Sequence, residues 1–323
     1  MPTTEETRQR LAEIPNLTVF TDALLSRYTR FAIGGPADIY AETGNVEAFI
    51  AALSVARASG MAIVVIGGGT NLIVSDDGFR GIVLRFRGER LLASNGRVQS
   101  EAGAVLQDLV DFAIARGLEG LETLSGIPGS VGAAVYGNAG AYGHSIAERV
   151  VSVRFYDGET VRVIDNEECQ FQYRESIFKR QKGWIIFSTE LRLDAGDAAS
   201  LRATADSILK VRNEKFPVTM KCAGSIFKNL LLRELPAAAA AQVPASAVRE
   251  GKVPAAWFLE QAGAKGMVRG DIHVATYHAN LIYNAGAGTA ADLRGLIEEL
   301  KERVAQRFHI ELEEEVQYVG FSE

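Results

Sequence analysis

One uncharged, glycine-rich segment, residues 124–143, constrains this chain more than any other. It reads LSGIPGSVGAAVYGNAGAYG and contains six glycines. This composition argues against a core helix, because glycine loses the most backbone entropy there. The segment is not apolar enough to span a membrane. Glycine lets the main chain adopt positive φ and approach a ligand closely. We therefore expect the segment to wrap its main chain around a large, flat ligand.

Length and composition narrow the class of protein. The chain has 323 residues, of which 47% are hydrophobic and 23% charged, and this predicts two or three globular domains with a sizeable core. The net charge of −6 gives no general affinity for nucleic acid or acidic membrane. With Cys169 and Cys222 as the two cysteines, we expect a reducing, cytoplasmic environment. Neither a signal peptide nor a membrane span is expected.

Hydrophobic periodicity predicts an α+β fold. The predicted helices are 45–59, 105–116, 200–212, 254–263 and 291–308. The predicted strands are 62–66, 72–74, 81–86, 150–156, 160–164, 184–193, 281–283 and an acidic candidate at 311–320. Asp157-Gly158 indicates a hairpin. Residues 235–248, with seven alanines and two prolines, are interpreted as an exposed insertion or linker.

A second glycine loop, residues 67–71, follows the predicted strand 62–66. The sequence GGGTN could form an anion-binding nest of backbone N–H groups, or it could be a tight turn between two strands. It is not a P-loop, since no Gly-Lys-Ser/Thr follows, and it lacks the spaced dinucleotide fingerprint. Together with segment 124–143, it suggests a dinucleotide whose pyrophosphate lies between the two loops.

The two loops, GGGTNLIVSDDGF and LSGIPGSVGAAVYGNAGAYG, resemble the FAD-binding domain of the vanillyl-alcohol-oxidase type. Within that group the chain resembles the UDP-N-acetylenolpyruvoylglucosamine reductases of peptidoglycan precursor synthesis. The motifs that extend this resemblance run in family order from about residue 29 to 320. They are TRFAIGGPA, YRESIFK, VRNEKFP, GSIFKN, AGAKGM, HANLIYN and ELEEEVQYVG.

The resemblance implies an α+β fold with an FAD-binding domain of the vanillyl-alcohol-oxidase (PCMH) type and a smaller α+β substrate-binding domain. The expected boundaries are 1–60 for the N-terminal part of the FAD-binding region, 61–197 for the FAD-binding domain and 198–298 for the substrate-binding domain. Residues 299–323 are expected to return to the FAD-binding region. The single helix predicted between residues 193 and 212 leaves no room for the family's extra tyrosine loop, so the chain resembles the second type of reductase.

The family's reaction is the NADPH-dependent reduction of UDP-N-acetylglucosamine enolpyruvate to UDP-N-acetylmuramate. In it, hydride passes from flavin N5 to the vinyl carbon and a proton goes to the other carbon. The resemblance assigns Arg174 to the substrate carboxylate and the enolate, Ser225 to proton donation and Glu315 to the enolate. The residue types suit these tasks, because a guanidinium binds carboxylates bidentately and a buried carboxyl can be held protonated.

Each of these residues also has a structural interpretation. Arg174 could form a surface ion pair, Ser225 could cap a turn, and Glu315 could belong to a solvated acidic strand. The family has proline before its glutamate, where this chain has Glu314, so the register between Glu315 and Glu314 stays open.

The resemblance further implies FAD and substrate contacts. FAD, bound non-covalently, is expected to contact Ile66, Gly67, Gly68, Gly69, Thr70, Asn71, Leu72, Ser125, Gly126, Ile127, Pro128, Gly129, Ser130, Val131, Asn138, Gly140 and Ala141. The sugar nucleotide is expected to contact Tyr142, Tyr173, Lys215, Lys228, Asn229, Lys265 and His278. The histidines show no metal-ligand spacing, so no metal site is expected.

Two other functions fit part of the sequence. A sugar or alcohol oxidase could share the flavin domain, but it would not need Ser225 or Arg174 in these motifs. A non-catalytic flavin-binding module would tolerate the loss of all three catalytic candidates. We expect a monomeric cytoplasmic enzyme, a UDP-N-acetylmuramate dehydrogenase, that uses NADPH and UDP-N-acetylglucosamine enolpyruvate and binds neither nucleic acid nor membrane.

Overall fold

The computed structural model describes residues 2–321, which form two compact units. Unit 1 takes the described residues of Met1–Ala23, Ala37–Gly68 and Arg80–Glu214. Unit 2 takes those of Leu24–Pro36, Gly69–Phe79 and Lys215–Glu323. Each unit has its own hydrophobic core.

The helices are α1 (Thr4–Ala12), α2 (Val46–Ser59), α3 (Leu106–Ile114), α4 (Val131–Tyr136), α5 (Ile177–Arg180), α6 (Ala198–Lys215), α7 (Ala237–Ala240), α8 (Ala255–Gln261) and α9 (Ala290–Phe308). The predicted helices correspond to α2, α3, α6, α8 and α9. Helix α2 has the predicted signals at both ends: the Asn45 side chain accepts from Ala48 N, and Gly60 ends the helix at φ 72°.

The strands are β1 (Thr18–Leu24), β2 (Pro36–Thr43), β3 (Ala62–Ile66), β4 (Leu72–Val74), β5 (Phe79–Phe86), β6 (Leu91–Ser94), β7 (Arg97–Glu101), β8 (Leu118–Glu119), β9 (Gly140–Ala141), β10 (His144–Ser145), β11 (Val150–Tyr156), β12 (Val161–Asp165), β13 (Ile185–Arg192), β14 (Asp194–Ala195), β15 (Lys221–Ser225), β16 (Leu230–Leu231), β17 (Lys252–Val253), β18 (Val268–Arg269), β19 (Ile272–Val274), β20 (Leu281–Asn284) and β21 (Gln317–Val319).

Unit 1 is built on two sheets. One has the strand order β1-β2-β5-β3, with β3 and β5 parallel, and the other is antiparallel in the order β12-β11-β13-β7-β6. Phe49 of α2, Phe86 of β5 and Phe187 of β13 pack together, with ring centroids 5.0 to 6.0 Å apart. This aromatic cluster joins both sheets to α2, and burial of each ring contributes about 2 kcal/mol.

Unit 2 is built on an antiparallel sheet in the order β15-β20-β19-β18. Helix α9 buries Leu293, Leu296, Ile297, Leu300 and Val304, the face predicted from its periodicity. Strands β4 and β21 pair in parallel, so a segment from the first quarter of the chain is joined to its C-terminal part.

Two sequence interpretations were wrong in part. The glycine-rich segment contains a short helix, α4, whose Val131, Ala134 and Val135 are buried, because Ser130 caps it and alanine and valine fill its interior. The acidic run is not a continuous strand: regular pairing begins at Gln317, and before it Glu314 makes an isolated bridge to Phe227.

The alanine-rich segment 235–248 is mostly exposed, as predicted, but it is not a structureless linker. It contains α7, and Ala239 is buried in the core of unit 2. Within residues 2–321, no helix combines the length and apolar character needed to cross a bilayer. The expected domain boundaries stay a prediction, since they divide the chain by function rather than by compactness.

Candidate functional site

The two glycine segments approach each other closely within unit 1. A Cβ added to Gly68 would lie 3.3 Å from Gly129 Cα, and one added to Gly67 would lie 3.1 Å from Ser130 Oγ. Both distances are shorter than ordinary van der Waals contact. The close approach of the second glycine segment therefore explains glycine at 67 and 68, while the expected pyrophosphate between the loops stays a prediction.

Ser125 lies at the start of the second glycine segment. Its side chain is fully buried, and its Oγ has no hydrogen-bond partner among the described residues. A buried hydroxyl without a partner is costly, so this atom is suited to a ligand's polar group. The next residue, Gly126, adopts φ 74° and donates its N–H to Gln107 Oε1 at 2.7 Å. Gln107 thus fixes the main chain beside Ser125.

Arg174 is held by the end of the glycine-rich segment. Its Nη2 donates to the Gly140 carbonyl at 3.0 Å and its Nη1 to the Asn138 carbonyl at 3.5 Å. The guanidinium carbon lies 5.2 Å from the centroid of the Tyr173 ring. These contacts orient a permanently charged group that is suited to a carboxylate.

Backbone strain accumulates in the same part of unit 1. Asn138, Tyr142 and Arg174 adopt φ values of 43°, 54° and 58°. Tyrosine and arginine rarely occupy this region, whereas asparagine does so more readily. Such strain costs about 1–3 kcal/mol per residue and is concentrated at functional sites in proteins. Tyr142 is also 53% exposed.

Residues 69–72 belong to unit 2. Gly69 adopts φ 65°, and a Cβ there would overlap the Tyr28 carbonyl oxygen, so glycine is required. The Asn71 side chain donates to the Glu315 carbonyl at 2.8 Å, and the Asn71 carbonyl accepts from Gln317 N at 3.0 Å. Asn71 therefore positions the main chain of the predicted catalytic glutamate.

Ser225 ends β15 beside a bulge between Cys222 and Ser225, where Gly224 adopts φ 78°. The following residue, Ile226, accepts a 2.7 Å hydrogen bond at its carbonyl from Glu315 N. The structure thus brings the main chain at Ser225 next to that at Glu315.

Buried Asn280 fixes the main chain beyond Ser225. Its Oδ1 accepts from Ile226 N at 3.1 Å and from Phe227 N at 2.9 Å, and its Nδ2 donates to the Phe227 carbonyl at 2.8 Å. It belongs to the HANLIYN motif, but the sequence interpretation singled out only His278 in that motif.

The carboxylates of Glu313 and Glu314 have different partners. Glu313 pairs with Lys228, while Glu314 accepts from Lys301 Nζ at 2.9 Å and from the Tyr318 hydroxyl. The hydrogen bond from Lys301 to Glu314 raises the pKa of that lysine. Burial, followed by the bond to Glu314, raises the pKa of Tyr318 above its usual range. Glu314 is therefore committed to a structural cluster.

The other predicted substrate residues in unit 2 are varied in exposure. The Lys228 side chain is 11% exposed, Asn229 Oδ1 accepts from Ala255 N at 3.3 Å, and Lys265 pairs with Glu260. The Lys215 ammonium lies 5.2 Å from the centroid of the Phe216 ring, and the Lys215 carbonyl accepts from the Tyr277 hydroxyl at 2.9 Å.

His278 is a neutral histidine in unit 2. Burial, followed by the charges of Lys215 and Lys265, lowers its pKa to about 4. Its buried Nδ1 has no hydrogen-bond partner among the described residues. An uncharged ring with an open nitrogen can accept from or donate to a ligand, according to its tautomer.

Comparison with known proteins identifies the family. A family model described as an FAD binding domain matches residues 37–164, and one described as UDP-N-acetylenolpyruvoylglucosamine reductase, C-terminal domain, matches residues 216–319. A reductase of that name from Solibacter usitatus (strain Ellin6076) is 68% identical over 96% of this chain and 100% of its own length. The chain belongs to the UDP-N-acetylenolpyruvoylglucosamine reductase family.

Other members agree. The reductase from Rubrobacter xylanophilus (strain DSM 9941 / JCM 11954 / NBRC 16129 / PRD-1) is 38% identical over 93% of this chain and 94% of its own length. The crystal structure of UDP-N-acetylenolpyruvylglucosamine reductase from Thermus caldophilus has a TM-score of 0.72 and 28% identity, covering 94% of this chain and 98% of that chain. The α+β fold class with an FAD-binding domain is confirmed.

The predicted catalytic residues of this reductase belong to two groups. Arg174 lies in unit 1, and Ser225 and Glu315 lie in unit 2. Sequence interpretation missed Lys179, which binds the Arg174 carbonyl, and Asn280, which fixes the main chain beyond Ser225. It also missed Gln107, which fixes the main chain beside Ser125. Lys179 and Asn280 lie inside quoted motifs, which was the available signal. Among residues 2–321, no three His, Cys, Asp or Glu side chains form a metal-binding group.

Proposed function

We propose that this protein reduces UDP-N-acetylglucosamine enolpyruvate to UDP-N-acetylmuramate, with NADPH as reductant and FAD as a non-covalent cofactor. The observation that carries the proposal is the full-length relative of that family, 68% identical to this chain. The product is a peptidoglycan precursor, so we place the enzyme in the cytoplasm. We further propose that it is a monomer whose functional domains have the boundaries given above.

The residues of unit 1 fit FAD. The buried Ser125 hydroxyl needs a polar partner, and the approach of Gly68 to Gly129 leaves main-chain atoms, rather than side chains, to face the cofactor. We assign the cofactor to residues 66–72, 125–131, 138, 140 and 141, of which 69–72 belong to unit 2. When bound, FAD supplies hydride uptake from NADPH and hydride delivery to the enolpyruvyl group.

Arg174 is assigned to the substrate carboxylate. Its guanidinium stays charged, and the carbonyls of Gly140 and Asn138 orient it. As negative charge develops on the enolate, this fixed cation stabilises it without reorganising, which is the most effective form of electrostatic catalysis.

Ser225 is assigned as the donor of the proton to the second enolpyruvyl carbon, and Glu315 as the group that stabilises the enolate. The hydrogen bond from Glu315 N to the Ile226 carbonyl supports a joint role, since it fixes the two residues within one main-chain network. The occupied carboxylate of Glu314 supports Glu315 over Glu314.

The sugar nucleotide requires cationic side chains as well as polar and aromatic ones, and we assign it to residues of both kinds. Cations suit its diphosphate, and polar and aromatic side chains suit its sugar and base. The assigned residues are Tyr142, Tyr173, Lys215, Lys228, Asn229, Lys265 and His278.

Anaerobic flavin spectroscopy tests the function. NADPH should bleach the visible flavin absorption of the purified holoenzyme, and UDP-N-acetylglucosamine enolpyruvate should restore it. UDP-N-acetylglucosamine, which has no vinyl group, serves as the control and should leave the reduced flavin unchanged. If the enolpyruvyl sugar also leaves it unchanged, the proposed function is wrong.

A further inference from the structure

The turn that carries Arg174 is strained. Gln172 N donates to the Glu175 carbonyl at 3.0 Å and Glu175 N donates to the Gln172 carbonyl at 3.1 Å, which closes a two-residue connection. Arg174 is its second residue and adopts φ 58°, where a turn ordinarily has glycine or asparagine. An arginine keeps this conformation only if its surroundings hold it there.

Lys179 binds this turn directly. Its Nζ donates to the Arg174 carbonyl at 2.9 Å and to Glu175 Oε1 at 2.9 Å, and its side chain is 23% exposed. The ammonium therefore bridges the strained residue and its neighbour. A half-buried, charged donor on a carbonyl is stronger than a bond between neutral groups.

Lys179 belongs to α5, the short helix that follows the turn, and the start of this helix fixes its position. Buried Ser176 caps α5 by accepting from Lys179 N at 3.3 Å, and its hydroxyl donates to the Tyr136 carbonyl at 2.7 Å. Tyr136 ends α4, inside the glycine-rich segment. The position of the ammonium is thus set from the same segment whose carbonyls hold the guanidinium.

We propose that Lys179 is a positioning residue that holds the Arg174 turn in its left-handed conformation and so aims the guanidinium at the substrate carboxylate. This inference rests on the proposed function, because it takes the carboxylate to be that of the enolpyruvyl group. Lys179 does not touch the substrate itself; it acts through Arg174.

The test compares two ligands of the oxidised holoenzyme by calorimetry. UDP-N-acetylglucosamine enolpyruvate has the carboxylate and UDP-N-acetylglucosamine lacks it. The ratio of the Kd of UDP-N-acetylglucosamine to the Kd of the enolpyruvyl sugar therefore measures recognition of the enolpyruvyl group. Lys179→Met should reduce this ratio about tenfold through weaker binding of the enolpyruvyl sugar alone. Reduction of the flavin by NADPH should keep its wild-type rate.

Matched variants separate positioning from stability. Lys182→Met removes an exposed lysine near α5 and should leave the ratio at the wild-type value. Glu175→Gln removes the ion pair but leaves the bond to the Arg174 carbonyl, so it should also keep the ratio. If Lys179→Met does not fold, Lys179→Leu replaces it, since leucine also lacks a donor to the Arg174 carbonyl.

A double variant gives the deciding readout. In an Arg174→Met background, Lys179→Met should have no further effect on the ratio, because the group that it positions is gone. An unchanged ratio in the single variant, an equal loss for both ligands, or full additivity in the double variant overturns the inference. If the wild-type protein neither prefers nor turns over the enolpyruvyl sugar, the proposed function itself fails.

Discussion

Two adjacent glutamates, Glu314 and Glu315, make contacts through different atoms. Glu314 binds Lys301 and Tyr318, whereas the main chain of Glu315 is fixed to Ile226 and Asn71. We expect Glu314→Gln to lower the free energy of unfolding by about 1–2 kcal/mol, because it breaks a charge-assisted contact, and to leave turnover near wild type.

Glu315→Gln should slow reoxidation of the flavin by the enolpyruvyl sugar, because it changes the carboxyl group assigned to the enolate. Thermal unfolding and single-turnover kinetics measure the two effects. A large kinetic loss in Glu314→Gln with none in Glu315→Gln would reverse the assignment.

Ser225 carries the most specific kinetic prediction. Ser225→Ala should slow reoxidation of the reduced flavin by the enolpyruvyl sugar by about 10²–10⁴-fold, because it removes the proton donor. Stopped-flow measurement should find the reduction by NADPH unaffected. Ser246→Ala, at an exposed serine of the alanine-rich segment, is the control. Equal losses in both half-reactions would count against a proton-donor role.

His278 gives a prediction about acid stability. Its pKa is about 4 in the folded protein and 6.5 in a model compound, so the unfolded chain binds more protons between these values. The stability due to neutral His278 is therefore present above pH 6.5 and is lost as the pH falls toward 4.

After allowance for solvent screening, this acid loss should be on the order of 1 kcal/mol. His278→Gln, which does not titrate, should flatten the decline of the unfolding free energy over that interval. Urea unfolding at several pH values measures it, and identical declines in variant and wild type would refute the prediction.

At the level of elements, the glycine loops make a steric prediction. Gly68→Ala should weaken FAD retention about tenfold or more, because its Cβ would lie 3.3 Å from Gly129 Cα, where neither main chain can yield cheaply. The flavin-to-protein ratio after gel filtration measures retention. Gly183→Ala, at a glycine whose Cβ would meet nothing within 4 Å, is the control. Full retention in Gly68→Ala would contradict the proposed cofactor loop.

Sequence pattern predicted most elements that bury one clear face. Helix α2 was predicted from its periodicity and caps, helix α9 from its periodicity, and the β11–β12 hairpin from Asp157-Gly158. Helix α4 was missed because glycine and alanine give no apolar stripe, although Ser130 is a capping signal. Strands β1 and β2 were missed as well.

The candidate catalytic residues could be predicted from the sequence, but the residues that hold them in place could not. Arg174 and Ser225 were predicted from motifs. Lys179 and Asn280 also lie in quoted motifs, but their contacts with the carbonyls of Arg174 and Phe227 became visible only in the structure. The contact of Asn71 with Glu315 joins residues 244 positions apart, so only the fold could show it.

At the level of the whole molecule, unit 2 is not contiguous in sequence. Phe31, Ile33 and Ile73 lie in its core, Asp76 accepts from Ala290 N and Ala291 N at the start of α9, and β4 pairs with β21. A fragment of residues 215–323 lacks all of these contacts. Each lost large side chain removes about 2 kcal/mol of burial, and the sum approaches the net stability of a domain.

We therefore expect the 215–323 fragment to show no cooperative thermal transition by circular dichroism, although most of its helices and strands are encoded within it. The full-length chain is the reference. A fragment that melts cooperatively at the reference temperature would show that the two earlier segments are dispensable.

The parallel pairing of β4 with β21 also affects the order in which the chain can fold during translation. Leu72–Val74 leaves the ribosome well before its partner, Gln317–Val319. Ile73, fully buried in the folded protein, therefore has no strand partner until those later residues have been translated. Until then β4 is an unpaired apolar segment of the kind that chaperones of nascent chains bind.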